Sequence, residues 1–197
     1  MSTTAPLTRP GVLVDTISAS TTANVALVVG AAAFVGALAQ ISIHLSFTPV
    51  PVTGQTLGVL LAGAALGWRR ASLSMALYVL AGVAGVPWFA GHASGAAGAT
   101  FGYLLGFVAA GAVTGALAAR RHDRTVARAA ASMIAGEAAL YAIALPWLAL
   151  SLHVGLARAI SLGFVPFVIG DLIKALLAGL TLPAAWRVVE RSSSENN

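Results

Sequence analysis

The sequence predicts an all-α, polytopic membrane protein with six transmembrane helices and both termini in the cytoplasm. Of its 197 residues, 58% are hydrophobic and only 9% are charged, whereas a soluble domain carries about 25% charged residues. The apolar residues form long runs separated by short connections, and a helix needs about 20 such residues to cross a bilayer. The positive charges cluster in alternate connections, as expected for cytoplasmic loops.

The first 22 residues are polar and predict a disordered cytoplasmic tail. They precede an uncharged run at residues 23–43, which is long enough to span a membrane. A competing interpretation is a cleaved signal peptide, because Ala37, Leu38 and Ala39 resemble a signal-peptidase site. The long and weakly basic region before the run argues against cleavage.

Residues 44–55 contain two prolines and predict an extended loop. The apolar run that follows, residues 56–66, is short for a full crossing. Either this helix is short and shielded by its neighbours, or the loop folds back below the membrane surface, where irregular backbone must be buried in protein. Both alternatives place the loop beside an internal pocket.

The remaining elements follow the same alternation of apolar runs and connections. Residues 67–70 predict a basic turn, residues 87–98 a long Gly-rich and aromatic loop, and residues 151–158 a short loop. The sixth helix is expected to begin near Pro166. The predicted third to sixth spans are residues 71–86, 99–119, 129–150 and 163–185. The membrane domain thus covers residues 23–189, and residues 190–197 form a polar tail.

The distribution of basic residues fixes the predicted orientation. With the N-terminus inside, nine of the eleven Lys and Arg residues lie on the cytoplasmic side, as the positive-inside rule requires. Arg158 lies in an outer loop, and Lys174 lies within the sixth helix. This arrangement also accounts for the net charge of +5 without a nucleic-acid partner.

Asp171 and Lys174 are the main candidates for a ligand site. They are three residues apart and share one face of the predicted sixth helix. A charge at the centre of a membrane helix costs roughly 2.5–3.5 kcal/mol, and such residues are functional by default. The alternative is a structural pair that only holds helices together. The predicted depth, about five residues below the outer end of the helix, suits the floor of an outward-facing pocket.

Further candidates lie near the predicted outer loops. Gln55 has both hydrogen-bond donors and acceptors, although it could instead cap the following helix. The aromatic residues could line a pocket or form an interfacial belt, and glycine lets backbone approach a ligand. The aromatic and glycine candidates are Trp88, Phe89, Gly91, Gly102 and Tyr103.

Other chemistry finds little support in the sequence. Glu137 lies in the fifth span, and we expect it to reach Arg124 or Arg128 rather than form a proton or cation site. The three outer histidines, His44, His92 and His153, lack metal-ligand spacing. The chain has no Cys and no hydrolase or nucleotide-binding motif. We therefore predict neither an enzyme nor a bound cofactor.

Four segments resemble one known family when taken in order. Residues 47–63, 77–91, 102–107 and 170–174 resemble the marker segments of BioY proteins, the biotin-specific substrate-binding subunits of energy-coupling factor transporters. The resemblance extends over residues 26–189. It implies a six-helix bundle in a prokaryotic cytoplasmic membrane that binds biotin from the outside. It also implies a membrane coupling subunit and two cytoplasmic ATPases as partners, although some family members may move biotin alone.

The resemblance implies roles for specific residues. Asp171 and Lys174 are implied as polar ligands, Tyr103 as a pocket wall, and the loop at Phe89 and Gly91 as a lid. The chain departs from the family pattern at Ala99 and Phe101, and Phe101 could narrow the pocket. Ala33 and Ala37 are similar to the small-residue motif that docks such subunits on their coupling partner. Ordinary packing within the bundle is the alternative for these two residues.

Overall fold

In the computed structural model the described residues are 11–16, 20–96 and 98–195. They form a helical bundle with one short pair of strands and three single 3₁₀ turns. The turns are Leu13–Thr16, Ala90–His92 and Val165–Phe167. The helices and strands, in chain order, are α1 (Thr21–Ala39), β1 (Ser42–Ile43), β2 (Val52–Thr53), α2 (Gln55–Val83), α3 (Phe101–Ala119), α4 (Val126–Leu152), α5 (Leu156–Gly163) and α6 (Val168–Glu195).

Four helical segments of the described chain are long and apolar enough to cross a membrane. They are Thr21–Ala39, Phe101–Ala119, Val126–Leu152 and Leu156–Ser192. Helix α2 is not among them and carries Arg69 and Arg70 near its middle. The protein is therefore a multi-pass membrane protein, as the sequence predicts. The count of six spans depends on α2, whose two halves correspond to the predicted second and third spans.

Helix α2 changes direction at Gly67. This residue has φ 78° and ψ 166° inside an otherwise helical segment, a region of backbone space that essentially only glycine occupies. The sequence predicts a turn at residues 67–70 between two separate helices. The structure places the break at a single residue, because the glycine absorbs the change of direction and Trp68 already continues the second half of α2.

Most of the helices that pack together are consecutive in the chain, and α4 and α6 are an exception. Helix α1 packs on α2, α2 on α3, α3 on α4 and α4 on α6. The core contains large side chains that are almost completely buried, among them Leu60, Met75, Tyr78, Met133 and Leu140. Large apolar side chains such as Leu80, Leu150 and Ile169 are exposed on the outside, which suits a surface solvated by lipid tails.

The two ends of the bundle differ in chemistry. The basic end carries Arg69 and Arg70 at the α2 kink and Arg120 and Arg121 after α3. The loop end carries the β1–β2 pair, the 3₁₀ turn at Ala90–His92 and helix α5. The β pair is antiparallel, with Ser42 opposite Thr53 and Ile43 opposite Val52. It closes the base of the Pro-rich loop, which the sequence predicts as an extended loop.

The two terminal segments differ from the predicted tails where they are described. Val12 and Val14 are buried in the core, and Asp15 forms an ion pair of 3.0 Å with Arg70. Residues 11–16 therefore pack on α2, whereas residues 1–10 and 17–19 of the predicted disordered tail lie outside the described residues. At the other terminus α6 continues to Glu195, past the predicted start of a tail at residue 190, and residues 196–197 lie outside the described chain.

A buried charge cluster joins the α3–α4 connection to α6 at the basic end. Asp123 is 1% exposed and accepts a hydrogen bond from the indole N–H of Trp186. The Arg124 guanidinium lies 3.1 Å from the Trp186 ring centroid and pairs with Glu190 at 3.3 Å. Burial raises the pKa of Asp123, although the Trp186 hydrogen bond and the Arg124 charge act in the opposite direction. This cluster fixes the C-terminal half of α6, whereas Asp171 lies at the N-terminal end of the same helix.

The backbone at Gly67 gives a first testable prediction. Gly67→Ala places a Cβ in a backbone region that costs about 1–3 kcal/mol for other residues. We expect this variant to unfold at a lower temperature than the parent in detergent, by several degrees. Gly30→Ala is the matched control, because Gly30 is helical and a Cβ there would meet no atom within 4 Å. Equal melting temperatures for the Gly67→Ala variant and the parent would show that the kink is not a strained position.

Candidate functional site

A cavity of 220 Å³ lies at the loop end of the bundle. Its volume is just below the range of about 300–1,000 Å³ typical of small-molecule pockets. The Pro-rich loop at residues 49–51, the start of α2 and the loop at residues 89–95 line it, together with residues of α3, α4 and α6. The aromatic lining residues are Phe89, Phe101, Tyr103, Phe107, Tyr141 and Phe167, and the polar ones include His44, Thr53, Gln55, Thr56, Asp171 and Lys174.

Asp171 is a buried carboxylate on the cavity wall with two side-chain partners. It lies in the first turn of α6 and is 5% exposed. The Tyr141 hydroxyl donates a hydrogen bond of 2.5 Å to its Oδ2 atom. Lys174 donates to Oδ1 at 3.3 Å, completing an ion pair within one turn of the helix. Both carboxylate oxygens are thus held at fixed positions on the cavity wall.

Lys174 connects α6 to the start of α2. Its ammonium donates a hydrogen bond of 2.5 Å to the Thr56 hydroxyl, in addition to its contact with Asp171. A lysine has three N–H donors, so two of them are directed at protein acceptors in the described structure. The third can serve a ligand oxygen in the cavity. The arrangement offers a bound molecule one carboxylate acceptor and one cationic donor side by side.

The aromatic residues supply flat apolar walls. Tyr103 lines the cavity, and its hydroxyl donates a hydrogen bond of 2.7 Å to the Gly163 carbonyl. Tyr103 and Tyr141 meet edge to face with centroids 6.2 Å apart, and Phe167 is buried beside them. Walls of this kind can bind an apolar molecule by burying its surface, and the charged pair can fix the orientation of that molecule.

A hydrogen-bond network holds the loop that closes one side of the cavity. Gln55 donates to the Tyr78 hydroxyl at 2.7 Å, and Tyr78 donates to the Trp88 carbonyl at 3.2 Å. The Trp88 indole returns a bond of 2.9 Å to the Tyr78 carbonyl. Gln40, just after α1, donates to the carbonyls of Trp88 and Phe89. The position of Phe89 on the cavity wall is therefore set by both α1 and α2.

The structure brings five of the eight predicted ligand residues to the cavity. They are Gln55, Phe89, Tyr103, Asp171 and Lys174. Trp88 is directed away from the cavity and packs on Tyr78 and on Gly36 of α1. Gly102 faces Trp147 of α4, so its small size serves helix packing. Gly91 has φ 67° and shapes the loop between two lining residues, Ala90 and Ala93.

Several residues that line the cavity were not predicted from the sequence. Tyr141 is one of only three tyrosines and lies in an apolar span, which is the one signal that could have identified it. Thr56 and Phe167 give no signal, because threonine and phenylalanine are ordinary components of membrane helices. Phe101, expected to narrow the pocket, lines the cavity and packs on Trp147 with centroids 5.5 Å apart.

The expectation for Glu137 is wrong. Glu137 is 8% exposed, and the ion pairs of Arg124 are with Asp123 and Glu190. Arg128 is exposed and lies nine residues before Glu137. Nine residues are about 13.5 Å and two and a half turns of helix, so the two side chains project from opposite faces of α4. Glu137 instead lies one turn of α4 from Tyr141, whose hydroxyl donates to Asp171 of α6.

Ala33 and Ala37 lie on the outward face of α1. Both are exposed, whereas Ala32, Val35 and Gly36 are buried against the bundle. Their exposure leaves this small-residue stripe of α1, Ala33 and Ala37, on the outside of the described bundle.

The fold and the cavity define a multi-pass membrane protein with an internal cavity. The chain belongs to the BioY family, whose sequence model matches residues 11–191. It is similar to the biotin transporter BioY of Rhizobium etli, at 37% identity over 70% of this chain and 79% of the relative. It is similar to the biotin transporter BioY of Thermotoga maritima, at 42% identity over 72% of this chain and 83% of the relative. The family and these relatives are transporters rather than enzymes.

One solved structure shares the fold. The crystal structure of the S-component for biotin from an ECF-type ABC transporter superposes with a TM-score of 0.74. The match covers 86% of this chain and 95% of that chain at 22% identity. The arrangement of helices around the cavity is therefore an architecture known from experiment.

The Tyr141–Asp171 contact leads to a second prediction. Hydrogen bonds to charged groups contribute about 1.5–3 kcal/mol. A double-mutant cycle of Tyr141→Phe and Asp171→Leu, measured by unfolding in detergent, should therefore show a coupling free energy in that range. Tyr78→Phe with Asp171→Leu is the control cycle, since Tyr78 bonds to Gln55 and Trp88 instead. A Tyr141 cycle that is additive within about 0.5 kcal/mol would contradict the contact.

Proposed function

We propose that this protein is a biotin-binding subunit that takes up biotin across the cytoplasmic membrane of a prokaryote. The observation that carries the proposal is the cavity in which Asp171 and Lys174 lie side by side beneath aromatic walls. Membership of a family whose relatives are named biotin transporters supports the choice of ligand.

The chemistry of biotin matches this cavity. Its bicyclic ring is mainly apolar, its ureido group offers two N–H donors and a carbonyl acceptor, and its tail ends in a carboxylate. In the proposed complex Asp171 accepts from the ureido N–H groups, while Lys174 donates to the ureido carbonyl or pairs with the carboxylate. Tyr103, Phe167 and Phe89 enclose the ring, and Gln55 holds the wall on the α2 side.

The same architecture with another vitamin, such as thiamine or riboflavin, is the alternative within transport. The names of the relatives favour biotin. The Asp171–Lys174 pair suits it as well, because biotin offers N–H donors to the carboxylate and oxygen acceptors to the ammonium.

The proposed topology has six spans and both termini in the cytoplasm. The two halves of α2 count as separate spans that meet at Gly67, and the basic end faces the cytoplasm. The cavity at the loop end then opens to the outside.

In this arrangement the exposed face of α1 with Ala33 and Ala37 is available to a coupling subunit, which would link the protein to two cytoplasmic ATPases. A stand-alone transporter remains the alternative mechanism.

The ligand assignment leads to a third prediction. The purified protein should bind biotin at submicromolar concentration and should bind neither thiamine nor riboflavin in that range, measured by isothermal titration calorimetry. Asp171→Asn should weaken biotin binding about 10- to 100-fold, the equivalent of losing a hydrogen bond to a charged group.

The control for the Asp171 substitution is Asp15→Asn. Asp15 is a partly exposed carboxylate at the basic end, paired with Arg70, and its replacement should leave the affinity for biotin unchanged. Tight binding of another vitamin in place of biotin would refute the proposal. Unchanged affinity after Asp171→Asn would reduce Asp171 to a structural role.

The orientation gives a fourth prediction. The chain has no Cys, so a single introduced cysteine reports one position. Ala96 is exposed at the loop end and Thr125 at the basic end. In intact cells an impermeant maleimide should label Ala96→Cys. It should label Thr125→Cys only after the cells are lysed. The reverse labelling pattern would invert the proposed topology.

A further inference from the structure

Glu137 is a buried carboxylate that the proposed ligand contacts do not use. It lies in the first half of α4 (Val126–Leu152) and is 8% exposed. Its Oε1 atom is buried and accepts no hydrogen bond from any described residue. An ionised carboxylate without a partner is among the most unfavourable groups inside a protein, and such a group usually binds a proton instead.

The groups that face Glu137 come from several helices. From α6, Asp171 and Lys174 are close enough to interact with it electrostatically. On α4 itself, Tyr141 is four residues further on and lies on the same face. At the adjacent Gly136 the neighbouring atoms belong to Leu60 of α2 and to Ala110 and Thr114 of α3, none of which titrates.

The charges that reach Glu137 from α6 are those of the ligand site. Asp171, through its bond to Tyr141, and Lys174, through its bond to Thr56, both lie on the cavity wall. A ligand that occupies the cavity therefore changes the electrostatic environment of Glu137 without touching it. Lys174 is the one cationic residue among the described lining residues, apart from the ionisable His44.

We propose that Glu137 is a proton-binding site linked to ligand binding through Asp171 and Lys174. An anionic ligand brings a negative charge into the cavity and engages Lys174, which then offsets less of the charge on Glu137. Binding accordingly favours the protonated form, and the protein takes up a proton with the anion. By linkage the affinity for the anion rises as the pH falls through the range in which Glu137 titrates. This proposal rests on the proposed binding of biotin.

The first test needs no ligand. Infrared difference spectra of the ligand-free protein at two pH values should show a protonated-carboxyl C=O band that is absent in Glu137→Gln. Glu190→Gln is the matched control, since Glu190 is an exposed glutamate at the basic end, and it should keep the band. Presence of the band in Glu137→Gln would assign it to another carboxyl and overturn the proton site.

The second test measures the link to biotin. Calorimetric titration in two buffers of different ionisation enthalpy should show proton uptake in the parent protein and none in Glu137→Gln. The affinity of the parent should change by up to about tenfold per pH unit, whereas that of Glu137→Gln should stay level over the same pH range. Proton release, or no exchange in the parent, would overturn the link.

His44 is the competing source of a proton at the cavity. Uptake of a proton that persists in Glu137→Gln but disappears in His44→Gln would also overturn the proposal.

The proposed function and the proposed proton linkage can fail separately. If biotin does not bind, the proposed function is refuted, while the infrared band still decides whether Glu137 holds a proton. If biotin binds without proton exchange, the function stands and the linkage is refuted.

Discussion

The ion pair between Asp171 and Lys174 imposes the main constraint on this bundle. Two charges in an apolar interior need additional hydrogen bonds to offset their loss of hydration. Tyr141 supplies one from α4 and Thr56 supplies another from α2. Three helices that are distant in sequence must therefore meet at one level. The cavity lies at that level, so the groups that stabilise the pair also form the wall on which a ligand would be oriented.

The sequence predicts the broad organisation of the fold because membrane helices are encoded by long apolar runs. It also places the Asp171–Lys174 pair, since charges within such a run are conspicuous. It does not predict the partners of the pair. Tyr141 and Thr56 lie on helices with small residues on several faces, so packing decides how each helix is rotated about its axis. The sequence does not determine that rotation, because these apolar runs have no polar stripe that marks an outer face.

The incorrect expectation for Glu137 has a related cause. Proximity in sequence to Arg128 suggests a salt bridge, but helical geometry places the two residues on opposite faces of α4. Trp88 and Gly102 show the same limit in another form. An aromatic residue and a glycine near a pocket can serve either the ligand or the helix interface. Only the neighbouring side chains, Tyr78 for one and Trp147 for the other, show that here they serve packing.

The hydrogen bonds of Gln40 have a mechanical consequence. Its amide joins the end of α1 to the carbonyls of Trp88 and Phe89, and the outward face of α1 carries the open small-residue stripe. A tilt of α1 would therefore move the Phe89 side of the cavity through the two loop carbonyls that Gln40 holds, those of Trp88 and Phe89. Under the proposed function, a partner that docks on α1 could thus change the shape of the cavity without touching it, because one amide joins the two.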